Sequence, residues 1–227
     1  MFFYAGVATI KIRNTYILGT SHVAKASKKE IEAFIQKRKP QAIALELDTS
    51  RYRALLHPNH AGQKPARFSW LAGTLRYMQK KAGKIVNAEA GLEMKSAIQQ
   101  ARKKNIPIYC IDQHISITLK HALQSMSLRE KLRFFIDVLF LSKKKVKQAP
   151  FDMQKVPTQQ QLKQVMQEFR QQYPGMYKVL VEERNEYMAK NLYNLMQKHQ
   201  GKILAVVGAG HQQGIAQRVT WYLKKKR

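Results

Sequence analysis

Cysteine, acidic residues and long apolar runs are all scarce in this sequence. A single cysteine, Cys110, excludes an internal disulfide, and its apolar surroundings (IPIYCI) predict a buried, inert thiol in a reducing compartment. The apolar segment FFIDVLFL contains Asp137 and is far shorter than the roughly 20 residues that span a bilayer. The N-terminal residues lack the pattern of a signal peptide. We therefore expect a cytoplasmic protein, either free or peripheral to a membrane.

The shortage of acidic residues leaves a large positive charge. Lys and Arg number 41 against 14 Asp and Glu, a formal net charge of +27, and residues 49–88 and 187–227 contain no acid at all. This excess predicts attraction to nucleic acid, to an anionic membrane surface or to acidic substrates, and it does not specify a fold. No nucleic-acid-binding motif accompanies the basic runs KKKVK and KKKR, so a solvated basic surface explains them equally well.

Short apolar segments alternate with helical patterns along the 227 residues. The segment ATIKIRNTYILGT predicts a β-hairpin that turns at Asn14, and AIALEL, IPIYCID and KILAVVGA predict further strands. Residues 24–38, 68–82, 89–105 and 212–225 predict helices. We expect one α/β domain over residues 1–227, with a mainly parallel sheet flanked by helices and a helical insertion or cap at residues 115–200.

The glycine-rich segment LAVVGAGHQQGI resembles a phosphate-binding loop only superficially. Its glycines, Gly208, Gly210 and Gly214, follow a G-x-G-x-x-x-G spacing, and too few residues remain after them for the second strand of a dinucleotide-binding unit. No acid follows to bind a ribose, and no Gly-Lys-Ser/Thr completes a P-loop. The segment is better interpreted as a strand that delivers His211 to a site.

A second histidine repeats the arrangement near the N-terminus. His22 follows Gly19 by three residues, as His211 follows Gly208, and each glycine comes at the end of an apolar segment. A lone histidine in such a position is usually a packed or capping residue. Because the arrangement occurs twice, we expect each glycine to end its strand and turn the chain over the edge of the sheet.

Carboxylates end the other two predicted parallel strands. Glu46 and Asp48 follow AIAL, and Asp112 follows IYCI. The carboxyl ends of parallel strands are where open α/β sheets bind ligands, so these carboxylates and the two histidines are expected to converge. Imidazole and carboxylate ligands suit Mn, Fe, Co or Zn. Alternatively, Asp48 and Asp112 cap the helices that follow them.

Two further charged residues lie on the inward sides of predicted helices. Arg184 lies in the apolar stripe formed by Val181, Met188, Asn191 and Leu195. It is either half of a structural ion pair with Glu46 or Asp48, or a fixed cation that orients a carboxylate or stabilises an oxyanion. Glu93 lies beside the inward-facing Ala97, and either faces the site or belongs to a solvated surface.

With these residues assembled, the sequence resembles the TraB/PrgY pheromone-shutdown family and, through it, the wider Tiki, GumN and EreA-like proteins. The resemblance rests on GTSHVAKAS, KPQAIALELDTSRYRAL, GLEMKSAIQQARKKNIPIYCIDQHISITL, EERNEYMAKNL and AVVGAGHQQGI, which occur in the family's order. It implies a Tiki/EreA-like α/β fold with His22, Glu46 and His211 at the site, and roles for Glu93 and Arg184. Tiki-like members are regarded as divalent-metal-dependent proteases, and pheromone-shutdown members reduce the activity of secreted peptide signals.

The sequence departs from that family at two places. Where the family reads I-D-R-D, residues 111–114 read I-D-Q-H, so His114 either replaces a missing ligand or is simply exposed. Many members also carry a membrane-spanning half after this domain, whereas this sequence ends in KKKR.

We expect a metal-dependent, peptidase-like hydrolase. Mn, Co or Zn would be held by His22, His211 and a carboxylate, Glu46 first and Asp112 second, and would activate a water molecule. Glu93, or whichever of Glu46 and Asp112 is not a ligand, would act as the general base. Arg184, Arg51 and Asp48 are the predicted substrate-binding residues for a peptide or an acidic small molecule.

Two other functions are consistent with the same residues. The pocket could sequester a peptide signal, a metal or haem without catalysis, in which case the histidines serve binding or structure. The basic surface could instead bind nucleic acid, with an affinity that falls steeply with salt. The sequence does not specify whether the chain forms oligomers.

Overall fold

A computed structural model describes residues 2–4, 7–20, 24–57, 92–141 and 159–225. Within these ranges the strands form one six-stranded sheet in the order β1-β2-β3-β6-β4-β5. Their bounds are β1 (Phe2–Tyr4), β2 (Val7–Ile12), β3 (Thr15–Thr20), β4 (Ala42–Leu45), β5 (Ile108–Cys110) and β6 (Ile203–Gly208). The predicted α/β fold is confirmed, and the predicted helix at 68–82 lies outside the described residues.

Helices cover both faces of this sheet. Those before β5 are α1 (Ala24–Arg38), α2 (Thr49–Leu56) and α3 (Leu92–Lys103). Those after it are α4 (Ile115–Ser125), α5 (Leu128–Leu141), α6 (Gln159–Gln172), α7 (Pro174–Tyr177), a π-helix (Lys178–Glu183), α8 (Arg184–Lys198) and α9 (Ala209–Lys225). Among the helices of the described ranges, none is long and apolar enough to cross a membrane.

The sheet has an antiparallel edge and a parallel centre. β1, β2 and β3 pair antiparallel, and the predicted hairpin between β2 and β3 is confirmed. β6 pairs parallel with β3 on one side and with β4 on the other, and β4 pairs parallel with β5. Every residue of β3, β4 and β6 is buried, as expected for parallel strands covered on both faces.

Alternate residues of the central strands serve two separate apolar layers. Ile17 and Ala205 pack against α8 and α9, where Met188, Leu192 and Ile215 are fully buried. Leu18 and Val206 point the other way, into a layer formed with α1 and α3. The inward face predicted for α3 is confirmed there, because its Met94, Ala97, Ile98 and Ala101 are all buried. The sheet is thus the middle of three layers.

The helical region 115–200 contributes directly to one of these layers. Its last helix, α8, buries Met188, Ala189 and Leu192 completely against the sheet and α9. The division of the chain into one domain with a helical cap stays a prediction.

Two local expectations are wrong. Gly19 does not end its strand, since β3 continues to Thr20; it instead makes room for α9, because a Cβ at Gly19 would lie 2.8 Å from Oε1 of Gln212. Cys110 is half-buried and not fully buried. Burial, aided by the charge of Asp48, nevertheless raises the pKa of its thiol to about 11, which is consistent with an unreactive side chain.

Candidate functional site

Three predicted site residues follow three adjacent parallel strands. Glu46 comes directly after β4, Asp112 two residues after β5, and His211 lies in the first turn of α9, which begins directly after β6. Because β6, β4 and β5 are neighbours in the sheet, their carboxyl ends bring these side chains to one edge. Arg184, the first residue of α8, reaches the same edge from the helical layer.

Arg184 is the centre of the cluster. Its Nη2 donates to Glu46 Oε1 and to Asp112 Oδ2, each at 2.7 Å, and its Nε donates to Asp112 Oδ1 at 3.1 Å. Its Nη1 donates to His211 Nε2 at 3.1 Å and to the Leu180 carbonyl at 3.3 Å. A guanidinium has five N–H groups, and all five have an acceptor here. Arg184 therefore binds the cluster together and has no N–H left for another ligand.

Glu46 is fixed at both carboxylate oxygens. Oε1 accepts from Arg184, and Oε2 accepts from the backbone N–H of Gly208 at 2.6 Å. Gly208 is the last residue of β6, directly before α9, so this N–H belongs to the amino-terminal end of a helix, where negative charge is favourable. The position of the Glu46 carboxylate is thus set by backbone as well as side-chain contacts.

The two ring nitrogens of His211 have different roles. Nε2 faces Nη1 of Arg184, which can only donate, so Nε2 carries the lone pair. Nδ1 lies 2.8 Å from Oδ1 of Asn185, the residue after Arg184, and carries the hydrogen that this oxygen accepts. These two contacts favour a neutral imidazole whose Nε2 lone pair points into the cluster, 3.5 Å from Glu46 Oε1.

A second arginine extends the cluster towards α2. Asp48 caps α2 by accepting from the backbone N–H groups of Ser50 and Arg51, so the capping role considered for it is confirmed. Arg51 donates from Nε to Asp48 Oδ2 at 2.7 Å and from Nη2 to Asp112 Oδ2. Counting the whole cluster, three carboxylates face two guanidinium groups, within a chain whose net charge is +27.

The arginines keep two of these carboxylates ionised. Burial acts to raise the pKa of Asp48, but hydrogen bonds from Ser50 and Arg51 outweigh it, and its pKa is lowered to about 2. Burial likewise opposes ionisation of Asp112, but the hydrogen bond and charge of Arg184, with the charge of Arg51, hold its pKa below the usual range. For Arg184, burial is outweighed by Asp112 and Glu46, which raise its pKa. All three groups stay charged at neutral pH.

The remaining predicted site residues lie in different places. Glu93 is buried in the first turn of α3, in the layer on the other face of the sheet from α8. His114 is exposed and caps α4, its Nδ1 accepting from the Ser116 backbone N–H, so helix capping accounts for its position. His22 lies outside the described residues.

Sequence reasoning missed two parts of this site. Asn185 was not singled out, although it directly follows Arg184 and is the only polar residue among the six that α8 buries. The π-helix before Arg184 was not predicted either, because no characteristic amino-acid composition distinguishes π-turns from α-helical turns. Such turns are frequent at functional sites, and this one supplies the Leu180 carbonyl that accepts from Arg184.

The distances and hydrogen bonds of the donor atoms test whether the cluster could bind a divalent ion. Glu46 Oε1 and His211 Nε2 are 3.5 Å apart, the separation expected for two ligands that each bind one ion at about 2.1 Å. Asp112, in contrast, already has both oxygens bonded to arginines. No three His, Cys, Asp or Glu side chains within the described ranges form a group that could hold a metal. Within the described ranges the cluster thus offers two candidate ligand atoms, both of which accept from Arg184.

The fold and the cluster together define a class: an α/β protein with a buried acid–base cluster at the carboxyl edge of its parallel strands. Comparison with known proteins narrows this class to a family. The sequence profile of the TraB/PrgY/gumN family matches residues 8–226, so the chain belongs to that family, as predicted.

Individual relatives share most of the chain. The chain is 34% identical over 221 residues to the uncharacterized protein MJ1365 of Methanocaldococcus jannaschii, which covers 92% of this chain and 53% of that protein. It is 22% identical over 232 residues to the human TraB domain-containing protein, which covers 88% of this chain and 61% of the human protein. The chain therefore spans between about half and three-fifths of the length of these relatives.

Proposed function

We propose that the chain is a divalent-metal-dependent hydrolase of the peptidase type, with its reaction centre at Glu46 and His211. The observation that carries this proposal is the 3.5 Å separation of Glu46 Oε1 and His211 Nε2 at the edge where ligands bind in parallel sheets. Mn, Co or Zn would suit a carboxylate and an imidazole. His22 is the proposed third ligand: in sequence it follows the end of β3 by two residues, and β3 pairs with the strand that leads to His211.

The surrounding residues orient the two ligands. An ion held there would lower the pKa of a bound water molecule towards about 7 and so supply hydroxide at neutral pH. The Gly208 N–H fixes Glu46 through Oε2, and Asn185 accepts from His211 Nδ1 so that Nε2 keeps its lone pair. Outer contacts of this kind are typically worth about 10–100-fold in metal affinity or activity.

Arg184 and Asp112 act as positioning residues in this proposal. Because the five N–H groups of Arg184 are all used, it holds Glu46 and His211 in place and balances their charge. An ion bound between Glu46 and His211 would replace Arg184 as the partner of His211 Nε2. Asp112 holds Arg184 and Arg51. The Arg51 side chain is 34% exposed, so of the two guanidinium groups it is the one that a substrate carboxylate can reach.

The proposed general base is Glu93. It lies on the other face of the sheet from α8, but α3 leads back to the start of β5, so the first turn of α3 is at the carboxyl edge of the sheet. There Glu93 would take the proton of the attacking water on a carboxylate oxygen. Asp112 is poorly suited to this role, since both of its oxygens are bonded to arginines that hold its pKa low. On this assignment Glu93→Gln lowers turnover and leaves metal affinity unchanged.

The experiment is a metal titration followed by a peptide-cleavage assay. Untagged protein is stripped of metal, titrated with Mn, Co and Zn by calorimetry, and then incubated with a mixture of quenched fluorogenic peptides. We expect one ion per chain and metal-dependent cleavage, both of which are lost in Glu46→Gln and His22→Ala. The matched control is Glu32→Gln on α1, whose carboxylate accepts from Gln100 on the other face of the sheet.

Each result has a distinct meaning. Ion binding and cleavage that survive Glu46→Gln contradict the assigned centre. An ion and a peptide that bind without any cleavage replace the hydrolase with a module that sequesters peptide signals. Absence of ion binding to the wild-type chain leaves Arg184 as the cation of the cluster and rules out the metal-dependent reaction.

A further inference from the structure

A cleft of about 560 Å³ lies beside the reaction centre, between α6 and the first half of α9. Met166 lines it from α6, Val181 from the π-helix, and Gly210 and Gly214 from α9. Asn185 lines the same cleft while its Oδ1 accepts from His211. The Asn185 side chain therefore contacts both the cleft and the proposed reaction centre.

Two glycines of α9 line this cleft. Gly210 and Gly214 are four residues apart and so lie on the same face of the helix. A Cβ at Gly214 would lie 2.2 Å from Asn185 Nδ2, and one at Gly210 would lie 3.4 Å from Met166 Sδ. Glycine inside a helix costs about 1 kcal/mol relative to alanine. Gly214 therefore permits the close approach of Asn185, whereas an added Cβ at Gly210 would make only an ordinary contact with Met166.

The lining is cationic and rich in amides. Three cations line it: Lys163 and Arg170 from α6, and Arg218 from α9. One carboxylate lines it as well, Glu182, which lies 3.6 Å from Arg170, while Arg218 pairs with Glu186. Three glutamines also line the cleft: Gln167, Gln213 and Gln217. Cationic groups bind carboxylates, and carboxamides both donate to and accept from peptide groups.

We propose that this cleft binds an acidic stretch of the peptide substrate, an inference that rests on the proposed function and names its substrate class. The peptide runs past Asn185 towards Glu46 and His211, its carboxylates contact Lys163 and Arg218, and its backbone amides pair with the glutamines. The volume lies in the range of about 300–1,000 Å³ that is usual for ligand sites. A single-stranded nucleic acid fits less well, because Tyr177 is the only aromatic ring among the described lining residues and base stacking needs such rings.

The test measures binding and needs no turnover. Short fluorescein-labelled peptides of alternating Glu and Ala, or of alternating Lys and Ala, are titrated with the full chain by fluorescence polarisation, with and without Mn, at physiological ionic strength. We expect the acidic peptide to bind and the basic peptide not to bind. Lys163→Glu should weaken acidic-peptide binding about tenfold or more, and Lys163→Arg should retain it.

The matched control separates the cleft from the basic surface as a whole. Lys29→Glu makes the same charge change at an exposed position of α1, which packs on the opposite face of the sheet, and should weaken binding less than about twofold. Equal weakening by Lys29→Glu and Lys163→Glu overturns the cleft, and so does an acidic peptide that does not bind.

An oligothymidylate that binds as tightly and depends equally on Lys163 overturns the peptide assignment. Because peptide binding is also measured without metal, the outcome of this test does not depend on whether the chain is a hydrolase. If the acidic peptide binds through Lys163 but is not cleaved, the proposed hydrolase function is rejected and the assignment of the cleft stands.

Discussion

Nδ1 of His211 lies 2.8 Å from Oδ1 of Asn185, and this contact joins α8 to α9 beside the cluster. It orients the imidazole so that Nε2 faces Arg184 and Glu46. The residue after the central arginine therefore controls which nitrogen of the histidine is available to a metal or a proton.

Asn185→Ala is expected to release this control. Without the Oδ1 acceptor, we expect His211 to sample its other tautomer, and we expect the affinity for the proposed metal ion to fall about 10–100-fold. Nitrogen-15 NMR of the ring measures the tautomer, and calorimetry measures the affinity. Asn185→Asp keeps an acceptor oxygen and should preserve the Nδ1–H form; a ring spectrum that is unchanged in Asn185→Ala would contradict the assigned role.

Gly214→Ala tests the close approach between α9 and Asn185. Alanine normally stabilises a helix interior by about 1 kcal/mol over glycine, but here its Cβ would lie 2.2 Å from Asn185 Nδ2. We expect a lower melting temperature and a disturbed His211 ring spectrum. Gly210→Ala is the control, since its Cβ would make an ordinary contact 3.4 Å from Met166 Sδ; stabilisation by both substitutions would show that no close approach exists.

Asp112→Ala should be among the most destabilising substitutions in the cluster. It leaves Arg184, whose side chain is only 15% exposed, without its bidentate partner, and removing one member of a buried ion pair costs about 3–5 kcal/mol. Urea denaturation measures this loss. Glu186→Ala removes the exposed contacts with Arg218 and with the Tyr222 hydroxyl and should cost less, about 1 kcal/mol. Equal costs would mean that Arg184 is held mainly by packing.

Much of this fold could be predicted from the sequence because its elements have strong periodicities. The helix at 24–38 and the hairpin around Asn14 follow from apolar spacing and turn residues, and the structure confirms both. The meeting of Glu46 and Asp112 also follows from a general rule, that parallel strands share a carboxyl edge.

The rest depends on contacts between distant parts of the chain. No local pattern specifies that β6 inserts between β3 and β4, which is what brings His211 beside Glu46. Sequence spacing placed Arg184 in an apolar stripe but could not show that all five of its N–H groups would be used. The role of Gly19 was misjudged because its neighbour in space, Gln212, is far away in sequence.

The stability of the protein should depend on pH through Glu30. This carboxyl is buried on α1, and burial raises its pKa from 4.5 to about 7. The folded state therefore holds a proton that the unfolded state loses, so stability is greatest below about pH 4.5 for this group and falls as pH rises through 7.

Glu30→Gln removes this pH dependence. At pH 8 it should stabilise the protein by about 1–2 kcal/mol, less than the full shift implies because solvent screens part of it, and at pH 4 it should change little. Urea denaturation at the two pH values measures the difference. A variant that is destabilised equally at both would show that Glu30 makes a specific contact as a carboxylate.

The π-helix at Lys178–Glu183 has a consequence for how this protein can vary. A π-turn holds one residue more than an α-turn, and each residue turns an α-helix by about 100°. Removing any single residue between Lys178 and Glu183 would let the helix from Pro174 to Lys198 run as a regular α-helix. The segments before and after the deletion would keep their relative orientation, because a π-turn with one extra residue covers nearly the same rotation as a regular α-turn. The deletion would instead change the wide turn itself, whose Leu180 carbonyl accepts from Nη1 of Arg184. The extra residue therefore serves the contacts of the site and not the placement of α8.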